Sequence, residues 1–157
     1  MKDISKKIRT SRIARAEAVL TLRPEMVNTL REGKVPEGDP LPVARVAAIQ
    51  AAKNTSQLIP YCHPISIDYV ECSFEIEDSS IRVLTEVKAV HSTGVEMEAL
   101  TAATVGALTL CDMLKPLDTS MEISKIRLTE KRGGESDLAD SRDRGLRAAV
   151  LVMSDPV

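Results

Sequence analysis

The chain has 157 residues, enough for one domain with a real core. Hydrophobic residues make up 43% and charged residues 28%, the balance of an ordinary soluble protein. A net charge of −2 argues against a general nucleic-acid binder, and with aromatic residues at 2% and no Trp there is little from which to build a base-stacking platform.

The N-terminus, MKDISKKIRTSR, is charged with no apolar segment behind it, so it does not read as a secretory signal. No apolar run approaches the length of a membrane span. The expectation is a cytoplasmic protein with no membrane partner. Cys62, Cys72 and Cys111 are odd in number and lack CxxC spacing, which reads as reduced thiols. Neither a metal nor a cofactor is expected.

Residues 12–22 suit a strand with Ala18, Leu20 and Leu22 on one face. Pro24 then starts a short helix that Gly33 ends. KVPEGDPLP is a loop by its Pro and Gly content, and residues 41–54 read as a second helix. Its apolar face is expected on Val43, Val46, Ala47 and Ile49, with Arg45 and Lys53 away from the centre. Two prolines hold IPYCHP extended.

A hairpin follows. One strand has Val70, Cys72, Phe74 and Ile76 on its apolar side, the other Ile81, Val83, Val87 and Ala89, with EDSS as the turn. Residues 93–115 form a long helix. The last strand, MEISKIRLTEK, shifts its apolar residues from odd to even positions between Ile123 and Ile126, which predicts a bulge. The order strand, helices, strand, strand, helix, strand predicts an α+β fold of ferredoxin-like split βαβ type. Its antiparallel sheet carries helices on one face.

On the long helix, Glu98, Thr101, Val105, Leu108, Asp112 and Lys115 share one face at about 100° per residue. Glu98 and Asp112 are nevertheless about 21 Å apart along the axis at about 1.5 Å per residue. One small site in one chain cannot use both ends, whereas two antiparallel copies bring Glu98 of one beside Asp112 and Lys115 of the other. Taken alone, Asp112 and Lys115 read as a local i,i+3 pair. His63 sits in a rigid loop able to present a side chain, and EKRGG offers cations and backbone N–H groups to a phosphate.

The strings GDPLPVARVAAIQAAKNTSQLIPYCHP, TGVEMEALTAATVGALTLCDMLKPLD and LTEKRGGESD closely resemble the MoaC family of molybdenum cofactor biosynthesis, from about Asp3 to Asp137. The resemblance implies a cyclic pyranopterin monophosphate synthase acting on a small nucleotide-derived substrate, 3′,8-cyclo-7,8-dihydro-GTP. It also implies a homohexamer, a trimer of dimers, with active sites at the dimer interfaces. By this resemblance Asp112, Lys115 and Lys131 are catalytic. Tyr61, Cys62, His63, Glu96, Met97, Glu98, Lys53 and Arg12 bind substrate.

Two positions depart from the family pattern: Glu37 and Glu135 stand where the family usually has Lys. Lys34 is placed to compensate if its loop folds back. Glu37 keeps a rival reading open, a non-catalytic oligomeric pterin- or nucleotide-binding module or a scaffold. By the resemblance to the family, residues 1–137 form a MoaC-like catalytic domain. Residues 138–157 form a linker and the truncated first strand of a MogA/MoaB-like domain.

Overall fold

The computed structural model describes residues 1–134. The linker and strand expected over 138–157, like Glu135, lie outside the described residues. Eight elements follow in order: β1 (Thr10–Thr21), α1 (Pro24–Arg31), α2 (Pro40–Lys53), α3 (Thr55–Leu58), β2 (Tyr69–Ile76), β3 (Ser80–His91), α4 (Glu96–Leu114) and β4 (Glu122–Arg132). The four strands form one sheet in the order β2-β3-β1-β4, with every neighbouring pair antiparallel. Strand β3 lies between β1 and β2, and β1 between β3 and β4. These are the two split βαβ units expected from the element order.

Period-two alternation fixes the sheet's faces. Ala14, Ala16, Ala18 and Leu20 of β1 are buried beneath the helices, and so are Ile81, Val83, Val87 and Ala89 of β3. The opposite face carries charge. Glu17, only 1% exposed, accepts hydrogen bonds from Arg82 at 2.7 Å and Arg127 at 2.6 Å, with Lys125 at 3.5 Å. These hydrogen bonds, Arg82's first, hold its carboxyl down at about 2. A second ladder links Lys88, Glu86, Arg15 and Glu130 across the same face.

Helix α2 begins where Pro40 occupies the first turn and the Asp39 carboxylate accepts from Leu41 N at 3.0 Å. The face it buries differs from the expected one. Ala44, Ala48, Ala51 and Ala52 point inward, while Val43 and Val46 are exposed. Close packing is the reason. A Cβ on Gly106 of α4 would stand 3.0 Å from Val83 Cγ1 and 3.5 Å from Ala48 Cβ. At that separation only small side chains fit between α2 and α4, so alanine outranks valine. On the α4 side Ala99, Ala102, Ala103 and Ala107 are likewise buried. By length and composition alone the 19-residue α4 would pass for a membrane span, contrary to the reading of apolar runs above. Its alanine face is instead packed in the core.

The bulge expected in β4 falls at Ser124, where pairing steps from Leu20↔Ile123 to Val19↔Lys125. A second one, not foreseen, falls at Thr129: Ala16 pairs with Leu128 but Arg15 with Glu130. It reverses the alternation. Glu130 joins Arg15 on the open face, and Lys131, opposite Ala14, turns to the helix side.

Candidate active site

The sequence-predicted residues collect at the two ends of α4. At its C-terminal end, Lys115 Nζ donates to Asp112 Oδ1 at 2.5 Å across one turn. Both side chains are about two-thirds exposed, at 66% and 70%. Such a pair contributes only about 0.3–0.5 kcal/mol, so stability is a weak reason for its presence. It borders a pocket of 420 Å³ lined by Leu108, Cys111 and Met121 and by Asp118 and Thr119. The hydrogen bond to Asp112, then the charge of that carboxylate, raises the Lys115 ammonium above its usual range, and the charge of Glu37 adds to it.

Asp118 escaped the sequence reading. It is 3% exposed and accepts from Ser120 N at 2.9 Å, Ser120 Oγ at 2.6 Å and Arg23 N at 3.3 Å, with the Arg23 guanidinium at 3.2 Å. These bonds, the Ser120 ones first, depress its carboxyl. They fix the turn after α4 against the start of α1, which shapes one wall of the pocket.

At the N-terminal end of α4, Glu98 is 3% exposed. Burial pushes its carboxyl up to about 7, and the neighbouring charge of Glu96 pushes the same way. Cys62 lies close enough for its thiol, already raised by burial, to feel the Glu98 carboxylate. Glu96 turns instead to Lys131, whose Nζ stands 3.4 Å from its Oε1. The Thr129 bulge is what aims Lys131 there. Met97 is exposed on the same turn.

Short α3 carries the chain from Lys53, exposed at the end of α2, to Tyr61, Cys62 and His63. His63 Nε2 is 2.8 Å from the backbone oxygen of Lys2. Arg12 donates to the carbonyls of His91 at 3.2 Å and Ser92 at 3.4 Å, anchoring the loop that leads into Glu96. The diglycine wraps this arginine. A Cβ on Gly133, which adopts φ 95°, would lie 2.1 Å from the Ser11 carbonyl oxygen, so only glycine fits there.

Lys131 therefore stands with Glu96, not with Asp112 and Lys115. Within the chain, the Asp112 pair and the His63–Glu98–Lys131 group are separated by the length of the helix, about 21 Å between residues 98 and 112 at about 1.5 Å per residue. Lys34, the expected stand-in cation, is engaged by Glu32 at 2.7 Å.

Chemically, one end offers a proton-transfer pair on an open pocket, and the other offers the Lys131 cation paired with half-buried Glu96, next to the buried carboxyl of Glu98. Comparison with known proteins gives this pattern a context. The chain is 46% identical over all 157 residues to a molybdenum cofactor biosynthesis bifunctional protein of Chlorobaculum tepidum, and spans 49% of that protein's length. It is 48% identical over 138 residues to a cyclic pyranopterin monophosphate synthase of Thermomicrobium roseum, covering 87% of this chain and 83% of that one. A synthase of the same name from Thermoanaerobacter pseudethanolicus is 49% identical over 140 residues, 88% of this chain and 89% of the relative. The sequence model of the MoaC family matches residues 1–134, the whole of the described structure. The chain belongs to the MoaC family.

Proposed function

We propose that the chain is a lyase of molybdenum cofactor biosynthesis. It converts (8S)-3′,8-cyclo-7,8-dihydroguanosine 5′-triphosphate to cyclic pyranopterin monophosphate and releases pyrophosphate. The observation that carries this reading is the division of polar groups between the two ends of α4, with Asp112–Lys115 at 2.5 Å at one end and buried Glu98 beside the Lys131–Glu96 pair at the other.

Each group has a task the reaction needs. A hydroxyl oxygen of the rearranged ribose attacks the α-phosphorus, and the bond from that phosphorus to the β-phosphate oxygen breaks. Asp112 and Lys115 exchange the protons of the ring rearrangement and of that hydroxyl. Lys131 and Lys53 neutralise the charge that grows on the departing pyrophosphate. To reach it, Lys131 exchanges its Glu96 partner for phosphate. Glu98, held near neutrality by burial, is suited to the amide and amine edge of the base, because its protonated form donates and its ionised form accepts. Tyr61, Cys62 and His63 bound the substrate from their loop, and Met97 supplies an apolar contact. Arg12 shapes the site through the 91–92 loop.

One substrate draws on both clusters when two copies of the chain face each other with α4 antiparallel. The proposed assembly is the homohexamer of three such dimers, working in the cytoplasm. Residues 1–137 form its catalytic domain. The match to the bifunctional relative runs through residue 157, which supports reading 138–157 as the linker and first strand of a second domain. Incubation with the cyclised triphosphate tests the function: pyrophosphate and pyranopterin should appear in equal amounts. A folded protein that releases neither overturns it.

Glu37 allows a sharper test. Its charge reaches Lys115, so the loop faces the site, and Lys34 is already occupied by Glu32. Glu37→Lys replaces a repulsion of the triphosphate by an attraction, each worth about 0.5–1 kcal/mol at an exposed position. KM should fall roughly tenfold in low salt and less in high salt, while Lys34→Ala changes little. Steady-state kinetics at two ionic strengths checks both.

A further inference from the structure

The N-terminal segment is exposed and irregular, yet it is tied across the site by specific bonds. The Asp3 carboxylate accepts from Ser5 N at 2.9 Å, and Lys7 N donates to Ile4 O at 3.0 Å, which folds residues 3–7 into a compact turn. The Ser92 hydroxyl then donates to Lys7 O at 2.9 Å, and the Arg9 guanidinium donates to Val90 O at 2.8 Å. Val90 lies at the end of β3, and Ser92 on the stretch that leads from β3 into Glu96. From them the chain reaches back, and Lys2 places its carbonyl oxygen 2.8 Å from His63 Nε2. A carbonyl oxygen only accepts, so His63 carries a proton on Nε2 and donates it to Lys2.

We propose that the N-terminal segment belongs to the active site, with the Lys2 backbone carbonyl acting as a positioning group that holds the His63 ring. The claim rests on His63 lying in the proposed site. The segment expected to be extended instead turns at 59–62, with Cys62 N donating to Ile59 O at 3.0 Å, and a histidine that follows such a turn is free to rotate about its side-chain bonds unless something fixes the ring. A hydrogen bond to one ring nitrogen fixes both the ring's orientation and the position of its proton. Here Nε2 is committed to Lys2, and in the neutral ring Nδ1 is the acceptor left for substrate. The group that does this lies 61 residues away in sequence. It is a backbone atom, so the identity of residue 2 matters less than the presence and path of the segment. Ser92 sets that path.

A variant lacking residues 2–4 removes the carbonyl but spares β1, which starts at Thr10. Its kcat should fall about fivefold, the size of one net hydrogen bond, with KM changed less than twofold and the thermal midpoint unmoved. In 15N-edited NMR the His63 Nε2–H signal of the full chain, sheltered from exchange by the Lys2 bond, should disappear in the variant. Ser92→Ala, which leaves the chain full length, should give the same changes at smaller amplitude. An unchanged kcat, a rise in turnover showing that the segment blocks the site, or a His63 ring signal that survives the deletion would each overturn the proposal. Should the full chain release no pyrophosphate, the proposed function fails, and the ring signal still decides whether Lys2 holds His63.

Discussion

Asp112→Asn should lower kcat by roughly 10²–10⁴, the usual contribution of a positioned general acid or base, and leave the fold intact. The side chain is 70% exposed at the end of α4, so the swap disturbs no packing. Asparagine keeps the shape and one acceptor for Lys115 but cannot take up a proton. It also removes the largest influence that keeps Lys115 protonated, the hydrogen bond and then the charge of Asp112, so the Lys115 ammonium loses its proton more easily. The pair loses its base, and the ammonium that remains loses the carboxylate with which it exchanged protons. KM should move little, because Lys131 and the His63 loop lie at the other end of the helix. A variant with near wild-type kcat would show that proton transfer runs through other groups.

Glu98→Gln should raise stability, and only on the alkaline side. The folded carboxyl titrates at about 7 against an ordinary value of 4.5, with burial as the first cause. A raised carboxyl means that the folded chain holds its proton more tightly than the unfolded one. Below about pH 4.5 both states are protonated and the group costs nothing. Between about pH 4.5 and 7 the unfolded state ionises first, and stability falls as pH rises. Above that the full penalty applies, up to about 3 kcal/mol at 1.36 kcal/mol per pKa unit. Glutamine carries no charge at any of these values. The variant should therefore match the wild type at pH 4 and unfold several degrees higher at pH 8, at about 2–4 °C per kcal/mol for a domain of this size. Other carboxyl groups titrate in both proteins and cancel in the difference. Equal melting at pH 8 would mean that the Glu98 charge is compensated in the fold. The same substitution should weaken substrate binding, because the amide cannot ionise and its oxygen is a weaker acceptor than a carboxylate for the amide and amine edge of the base.

Elements whose signal is local were legible in the sequence. The α4 stripe from Glu98 to Lys115 follows from helical spacing, and the Ser124 bulge from the parity change between Ile123 and Ile126. The separation of about 21 Å between residues 98 and 112 follows from the same spacing at about 1.5 Å per residue. The buried face of α2 was misread because valine outranks alanine in hydrophobicity, whereas the gap opposite Gly106 selects by size. The Thr129 bulge left no trace, since Thr129, Glu130 and Lys131 offer no apolar parity to break. Its consequence, Lys131 turned toward Glu96, was therefore hidden. Asp118 and Lys2 were invisible for a different reason. Asp118 reads as an ordinary turn residue until Arg23, 95 positions earlier, closes on it, and Lys2 meets His63 through a backbone atom. Residue types identify groups able to do chemistry, while contacts of this length decide which of them meet.

The central claim is that one active site combines Asp112 and Lys115 of one copy with the His63–Glu98–Lys131 group of another. Mixing two inactive variants tests it most directly. Asp112→Asn and His63→Ala chains, each folded and each inactive alone, are unfolded together and refolded in equal amounts. If the site is shared, half of the randomly paired dimers are mixed and each of these carries one intact site, so the mixture should recover about a quarter of wild-type pyrophosphate release. A mixture no more active than its parents, with mixed dimers demonstrably present, would contradict the account and return the whole site to a single chain.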